Sequence, residues 1–409
     1  MNPLQVTFST LTPIWTGGVD RKVDRLHATG LMGSLRWWFE ALLRGWNLPA
    51  CDPTTHRCPD SKGRYCGACF VYGTTGWRRA FGIRVMEEAR EQDVPSEKLF
   101  LPSGRKRQQR GQVRKGGWYL NPGWMGRFRL EFVPLHADRY VREAVMLPLR
   151  ILEQWGGFGA KTQLGYGVIQ GCETRWWEPQ DGLESGINRL RNYFDNELID
   201  RSAAHLDTRT HPAVCDGDGT CKAVYPDLRD FFFAQYSFTA TFPWWQHLYT
   251  YRKTSQDDRS QMDTMGERGL VPVTPEIRNQ WRYYGGLAGI TQASQACVFG
   301  YVNREQRARS RLHVSWAVRQ GDSDTWHIHI WGWLPRDWEA RESILAAIHQ
   351  MDSLRALLGI RPEHGRQGVL EQVKVKLEAW REFRSPDRDL GASADEDYVQ
   401  YLLRLLKGR

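Results

Sequence analysis

Hydrophobic positions recur in the same order in the two halves of this 409-residue chain. In the first half, alternation predicts strands over 5–10 and 127–135, and helical spacing predicts helices over 32–44 and about 139–155. In the second half, the same rules predict strands over 236–242 and 327–335, and helices over 274–288 and about 338–354. The order of the predicted elements is therefore repeated.

Short local similarities accompany this repeat. The segment ACFVYG (68–73) is similar to ACVFG (296–300), and LRWWF (35–39) is similar to IRNQWRYY (277–284). Internal duplication and chance similarity between aromatic and basic stretches are both compatible with these pairs. A β-α-β-β-α-β order is typical of the ferredoxin-like fold and of the RRM.

We therefore predict an α+β protein with two tandem ferredoxin-like (RRM-like) domains. The first covers 1–177 and carries a Cys-rich insertion at 50–70 and a basic loop at 103–117; the second covers 233–409. A linker at 178–232, with a helix at about 183–198, joins them. The last fifty residues are predicted to be helical around LEAWREFR (377–384) and YVQYLLRLLKGR (398–409).

Composition favours a nucleic-acid partner. Lys and Arg number 56 against 47 Asp and Glu, which gives a net charge of +9, and the chain has 19 Trp. Arg holds phosphates and Trp stacks on bases, a combination suited to single-stranded nucleic acid. An aromatic core beneath a solvated basic surface would give the same composition. The sequence lacks a run of about 18 apolar residues and a signal-peptide pattern, so we expect a cytoplasmic protein without a membrane partner.

The segment RKRQQRGQVRK (105–115) contains six basic residues and no acidic one. Such a run repels itself unless an anion orders it. We interpret it as an arm that closes on RNA, with a disordered solvated loop as the alternative. A second basic run, REQRARSR (304–311), lies at the equivalent place in the second half.

Glycines also surround a short polar segment at 156–167, with Gly157, Gly159, Gly165 and Gly167 around Lys161. Positions without a side chain allow a charged polymer to approach backbone N–H groups. The segment lacks the GK[ST] ending of a triphosphate-binding loop and the GxGxxG spacing of a dinucleotide fold. It therefore favours nucleic acid over a mononucleotide cofactor.

Half of the eight cysteines lie in one polar insertion: Cys51, Cys58, Cys66 and Cys69, with His56 as a further ligand candidate. A tetrahedral site would stabilise a segment that has no other core, so the insertion predicts a structural zinc ion. Four thiolates would leave no open position for catalysis. The alternative to a zinc site is that the cysteines are reduced thiols without a metal, with Cys69 packed at the start of a strand.

Candidates for catalysis are few. HExxH, GxSxG and spaced carboxylates of metal-dependent nucleases are all absent from the sequence. Asp20, Asp24 and His27 lie in one predicted loop and could cleave RNA without metal by general acid–base chemistry, although turn and cap roles are commoner. His327 and His329 share one face of a predicted strand, where they line a groove or are partly buried.

Five segments together resemble the RAMP superfamily of CRISPR-associated proteins, and within it the family of the first-numbered subunit of the type III-B Cmr effector complex. They are TPIWTGG (12–18), LMGSLRWWFEALLRG (31–45), CGACFVYGTTGWRRAF (66–81), GFGAKTQLGYGVI (157–169) and YPDLRDFFF (225–233). The resemblance implies two ferredoxin-like domains with a basic cleft between them, near the 3′ end of the guide RNA and the paired target RNA. It also implies a subunit that is not the nuclease.

We thus expect a non-catalytic RNA-binding subunit whose partners are guide RNA, single-stranded target RNA and other effector subunits in antiviral defence. The alternatives are a metal-independent endoribonuclease that processes CRISPR RNA and a scaffold that contacts only proteins. The candidate RNA contacts are Arg21, Lys22, Arg36, Trp37, Trp77, Arg78, Arg79, Arg105, Lys106, Arg107, Arg110, Gly157, Gly159, Lys161, Gly165, Gly167, Arg304, Arg307 and Arg309.

Overall fold

The computed structural model describes residues 3–18, 20, 22–51, 58–109, 112–135, 140–173, 182–197, 225–292, 294–302, 307–360 and 368–408. The first half contains, in chain order, β1 (Leu4–Thr10), α1 (Ala28–Gly45), α2 (Gly67–Tyr72), β2 (Phe81–Arg90), β3 (Leu99–Gln109), β4 (Gln112–Leu120), β5 (Gly126–Pro134), α3 (Tyr140–Trp155), β6 (Ile169–Gly171) and α4 (Leu183–Asn192).

The second half adds β7 (Phe231–Thr239), α5 (Tyr249–Lys253), α6 (Gln256–Glu267), β8 (Leu270–Val271), α7 (Thr274–Tyr283), α8 (Ser294–Phe299), β9 (Tyr301–Val302), β10 (Arg307–Ala308), β11 (Leu312–Val314), β12 (Ala317–Arg319), β13 (Thr325–Trp333), α9 (Arg341–His349), α10 (Leu354–Leu358), α11 (Gly368–Gln372), β14 (Val375–Glu382) and α12 (Tyr398–Lys407). The predicted mixed α+β class is confirmed.

The two main sheets are antiparallel and have related strand orders. The first runs β2-β5-β1-β6, and the second runs β14-β7-β13-β12-β8 with β11 also paired to β13. In the first sheet, β1 lies between β6 and β5, the strand that precedes α3. In the second sheet, β7 lies between β14 and β13, the strand that precedes α9. The repeat that the hydrophobic pattern indicated therefore extends to the order of the strands.

Helices α1 and α3 bury an apolar stripe against the first sheet. Leu31, Leu35, Trp38 and Leu42 of α1 recur at three- and four-residue spacing, and all four are buried. This spacing places them on one face of a helix. The buried face of β1 supplies Val6 and Phe8 to the same core.

The segment 377–384 is a correction to the predicted helical C-terminus. Most of it lies in strand β14, which pairs with β7 through Val375↔Phe238 and Glu382↔Phe232, with a bulge between Leu377 and Ala379. The open edge of β7 provides a ladder of backbone partners, and tertiary pairing of this kind overrides local helix preference. The terminal helix is confirmed as α12, which begins at a capping box formed by Asp397 and Gln400.

The two halves meet through an apolar contact. Phe231 and Phe233 of β7 belong to the core of the first half, whereas Phe232 and Tyr236 on its other face belong to the core of the second. The Phe233 ring lies 5.6 Å from that of Trp155, centroid to centroid. Because both faces of β7 are covered, its sequence is a continuous apolar run. The halves are thus joined by a shared core.

None of the helices in the described ranges is long and apolar enough to cross a lipid bilayer.

Candidate RNA interface and cysteine cluster

The predicted basic loop is a β-hairpin formed by β3 and β4. Its register places Lys106 opposite Lys115 and Arg107 opposite Arg114. Like charges directly opposite each other in an antiparallel pair are destabilising, because their Cβ atoms are only about 5 Å apart. The register therefore places four basic residues in two directly opposed pairs.

The base of this hairpin is fixed to the second half of the protein. The Trp118 indole donates a hydrogen bond from Nε1 to Asn279 Oδ1 at 2.9 Å, and the Tyr284 hydroxyl donates to the Ser103 carbonyl at 3.1 Å. The Arg105 guanidinium lies 4.1 Å from the centre of the Tyr283 ring. These contacts hold the basic strands in a defined position relative to α7.

An exposed aromatic side chain lies on the same hairpin. Tyr119 is 54% exposed, its ring lies 4.8 Å from that of Phe100, and the Lys98 ammonium lies 4.2 Å from its centre. Exposed aromatic faces beside cations are the elements on which single-stranded bases stack. Tyr119 and Tyr283 were not among the predicted RNA contacts, although both belong to aromatic pairs next to basic residues.

The glycine segment connects the halves. Trp316 donates a hydrogen bond from Nε1 to the Leu164 carbonyl at 2.8 Å, and its ring meets that of Tyr166 edge to face at 5.2 Å. A Cβ atom at Gly165 would overlap Thr274 of α7 and Trp316. Helix α7 thus contacts both the glycine segment and the basic hairpin.

Many backbone N–H groups of the glycine segment donate within the protein. Phe158 donates to the Gly167 carbonyl, Gly167 to the Pro13 carbonyl, and Gly159 to Ser34 Oγ at 2.9 Å. Ala160 donates to the Trp15 carbonyl. These amides already have acceptors, so the glycines of this segment serve close backbone packing.

Lys161 lies at the turn of this segment in the left-handed backbone region, with φ of 64°. Its ammonium is 4.0 Å from the centre of the Trp15 ring, a cation–π contact. Burial lowers the pKa of Lys161 to about 8. The predicted RNA contact is thus partly withdrawn into the protein beside Trp15.

Two further candidates have internal partners. Arg36 donates to Glu40 Oε1, the Gly73 carbonyl and Cys69 Sγ at 2.8, 2.8 and 3.0 Å. Trp77 donates from Nε1 to the Phe70 carbonyl at 3.0 Å and packs against Tyr65. Both side chains therefore donate hydrogen bonds that stabilise the fold.

The other candidates are spread over the surface. Trp37 is half-buried with its ring edge-on to Trp38, Arg79 is half-buried, and Lys22, Arg78 and Arg309 are exposed. Arg307 lies in β10, paired with Val302. Arg21, Arg110, Arg304 and His56 lie outside the described residues. Helix α7 contacts both the hairpin and the glycine segment, whereas the other candidates in the described ranges lie on separate elements.

The four cysteines of the insertion converge. The Sγ atoms of Cys51, Cys58, Cys66 and Cys69 all lie within 4.8 Å of one another, and the first, third and fourth residues are buried. None of the four is in a disulfide. The cluster could therefore hold a metal ion. Outside the insertion, Cys297 is disulfide-bonded.

Two groups bear on catalysis. His27 Nε2 lies 2.7 Å from Asp24 Oδ1, and Asp24 is exposed; the hydrogen bond from His27 lowers the pKa of the Asp24 carboxyl. His327 and His329 line an open cleft of about 560 Å³ between β6 and β12, together with Arg150. His327 is half-buried and His329 is buried, so the partial burial that sequence analysis gave as the alternative is also observed.

Comparison with known proteins finds a family match in the first half of the chain. Residues 7–170 match the family model of the RAMP superfamily. The resemblance to the RAMP superfamily is thereby confirmed over this part of the chain, which is less than half of its length and runs from β1 into β6. No curated protein matches the sequence.

Two solved structures are similar to this chain, with low sequence identity and low TM-scores. The crystal structure of Cmr1 from Pyrococcus furiosus in its apo form is 15% identical, with a TM-score of 0.34 over 84% of this chain and 93% of that chain. A chain of the cryo-EM structure of type III-B Cmr-beta bound to cognate target RNA and AMPPnP is 9% identical, with a TM-score of 0.37 over 85% of this chain and 98% of that chain. These similarities are too low for residue-by-residue comparison.

Proposed function

We propose that this protein is a non-catalytic RNA-binding subunit of a type III-B CRISPR RNA-guided effector complex in antiviral defence. In this role it contacts the 3′ region of the guide RNA and single-stranded target RNA, with other effector subunits as neighbours. The RAMP match over 7–170 and the five segments that resemble the Cmr family support the assignment. The repeated strand order supports two tandem ferredoxin-like halves.

The register of the basic hairpin is the observation that carries the RNA-binding part of the proposal. Lys106 and Lys115, and Arg107 and Arg114, are directly opposed. Opposed like charges cost stability, and a phosphate backbone that neutralises them recovers that cost. Arg and Lys that contact phosphates bind with little base preference.

Aromatic groups at the base of the hairpin add a second contribution. Tyr119 is exposed next to Lys98, and Arg105 covers Tyr283. Stacking of a base on an aromatic side chain contributes about 1–3 kcal/mol and tolerates any base. Phosphate contacts from the strands and stacking at Tyr119 together suit an unpaired RNA strand.

The cysteine cluster serves structure within this proposal. Four thiolates complete the tetrahedral coordination of a zinc ion and leave no coordination position for water or substrate. We therefore assign no catalytic step to it, and we take the subunit to grip RNA that other subunits process.

Binding of single-stranded RNA by the purified chain tests the proposal. We expect Lys106→Gln/Lys115→Gln to weaken binding at least about fivefold, because two phosphate contacts are lost. The matched control is Lys374→Gln/Lys376→Gln, which removes two exposed lysines at β14. Equal affinities of wild type and both double variants would contradict the assignment of the hairpin as the binding element, and a wild-type chain that binds no RNA would favour a scaffold.

The endoribonuclease alternative rests on the contact between His27 and Asp24. A carboxylate that orients an imidazole is a recurring acid–base arrangement. Incubation of the chain with repeat RNA in the absence of metal gives specific products under this alternative, and His27→Ala abolishes them. Intact RNA after incubation with wild type supports the non-catalytic role.

A further inference from the structure

The cysteine cluster has the dimensions of a metal centre. The Cys51 and Cys69 Sγ atoms are 3.4 Å apart, and those of Cys51 and Cys66 are 3.5 Å apart. Disulfide sulfurs are about 2.05 Å apart, so these distances are too long for bonded pairs. Zn–S bonds of about 2.3 Å place the sulfurs of a tetrahedral site about 3.8 Å apart, which lies within the range of the cluster.

Backbone N–H groups point at these sulfurs. The Cys66 amide donates to Cys58 Sγ at 3.4 Å, and the Cys69 amide donates to Cys66 Sγ at 3.4 Å. The second bond belongs to the first turn of α2, for which Cys66 is the N-cap. Hydrogen bonds from amides stabilise thiolates over neutral thiols, since they favour the charged form.

Arg36 adds a cation to the cluster from α1. Its Nη2 donates to Cys69 Sγ at 3.0 Å while Nη1 donates to the Gly73 carbonyl. Its third nitrogen, Nε, donates to Glu40 Oε1 at 2.8 Å. The guanidinium therefore links one sulfur of the cluster to helix α1 and to the turn that follows α2.

We propose that Cys51, Cys58, Cys66 and Cys69 bind one zinc ion in a structural role, and that Arg36 is its positioning residue in the outer shell. Four thiols release four protons when the thiolates bind Zn²⁺, which leaves a net charge of −2 on the centre. Arg36 offsets part of this charge and orients Cys69. Such outer-shell partners typically change metal affinity by about 10- to 100-fold.

The proposed centre also organises the turn that precedes Arg78. Thr74 Oγ1 donates to the Cys58 carbonyl at 3.4 Å, and Thr74 and Trp77 exchange backbone hydrogen bonds. The ion thus joins the segment before α2, the helix itself and the turn at 73–77 to α1. This role holds whether or not the chain binds RNA.

Metal analysis of the purified full chain tests the ion. We expect about one zinc per chain, with X-ray absorption showing four sulfur neighbours at about 2.3 Å. Cys51→Ser should lose the metal, while Cys172→Ser, at an exposed cysteine, should keep it. A wild-type chain that carries no zinc, takes up none when it is added, and has four freely titrating thiols would overturn the proposal even if the serine variant failed to fold.

Competition with a zinc chelator tests Arg36 separately. Arg36→Gln should bind zinc about 10- to 100-fold more weakly, and Arg36→Lys should recover part of the loss because it restores the charge. Arg78→Gln is the matched control, since Arg78 is exposed near the same turn. A zinc affinity of Arg36→Gln equal to that of wild type would exclude the outer-shell role while leaving the ion itself supported.

Discussion

At the residue scale, His313 lies where the glycine segment meets the second half. Its ring stacks on Trp331 with centroids 5.2 Å apart. Burial, and then the nearby Arg278 guanidinium, lower the pKa of His313 to about 4. The imidazole is therefore neutral in the folded protein at neutral pH.

This environment predicts a pH-dependent loss of stability. Below its ordinary pKa of 6.5 the unfolded chain binds a proton at His313 that the folded chain does not bind, so this residue lowers the free energy of unfolding as pH falls. The loss at pH 5 is about 2 kcal/mol. His313→Phe keeps the stack on Trp331 and should show a smaller decrease between pH 7.5 and 5 in urea unfolding. If the free energy of unfolding of His313→Phe fell as much as that of wild type, this would contradict a neutral His313 imidazole in the folded protein.

The residue types in the sequence indicated the kind of chemistry, but they did not indicate which positions take part in it. Arg36 and Trp77 fit an RNA contact by composition, yet the fold turns Arg36 to Cys69 and Trp77 to the Phe70 carbonyl. Exposure depends on tertiary packing, which a single sequence does not contain. The four cysteines were predictable as a group, because cysteines so closely spaced in a polar insertion are typical of a metal site.

At the element scale, the glycine segment is built for close backbone packing. Gly167 has φ of 91°, and a Cβ atom there would overlap the Phe158 carbonyl oxygen. At Gly159 a Cβ atom would lie 2.7 Å from the Trp15 carbonyl oxygen. The segment holds β6 and the turn after β1 together, which accounts for its glycines without a ligand.

Gly167→Ala should therefore lower the free energy of unfolding by at least about 2 kcal/mol, from backbone strain and overlap. The matched control is Gly33→Ala in α1, where no atom lies within 4 Å of the added Cβ. That change should raise stability by up to about 1 kcal/mol, because alanine is the better helix former. Equal effects of the two substitutions in denaturant unfolding would be inconsistent with this account.

Elements with a strong periodicity of apolar residues were predictable from the sequence. Elements whose structure depends on contacts with other parts of the fold were not. Helix α1 and strand β1 follow from their spacing of apolar residues. The basic segment gave no strand signal, because its hairpin depends on tertiary contacts: Trp118 donates to Asn279 of α7, and Tyr284, directly after α7, donates to Ser103. Strand β14 contains Leu377, Ala379 and Trp380, which also suit a helix; the open edge of β7 decides between them.

At the scale of the whole molecule, the two halves share a core through β7. Phe231 and Phe233 lie among residues of the first half, and Trp38 packs on Phe231 at 5.2 Å. A large apolar interface couples the unfolding of the elements that form it. The described parts of the chain should behave as one cooperative unit.

Phe233→Ala tests this coupling. Removal of the ring should cost about 3–5 kcal/mol, and near-UV and far-UV circular dichroism should still report a single coincident transition in urea. Two separate transitions, with only one of them shifted, would indicate that the halves fold independently.

The salt dependence of RNA binding tests the central claim most directly. For single strands, log K falls against log salt concentration with a slope of about −0.7 for each phosphate contact. Loss of two contacts in Lys106→Gln/Lys115→Gln should therefore make the slope less steep by about 1.4, while Lys374→Gln/Lys376→Gln keeps the wild-type slope. Identical slopes for all three proteins would contradict the assignment of the β3–β4 hairpin as the phosphate-binding element.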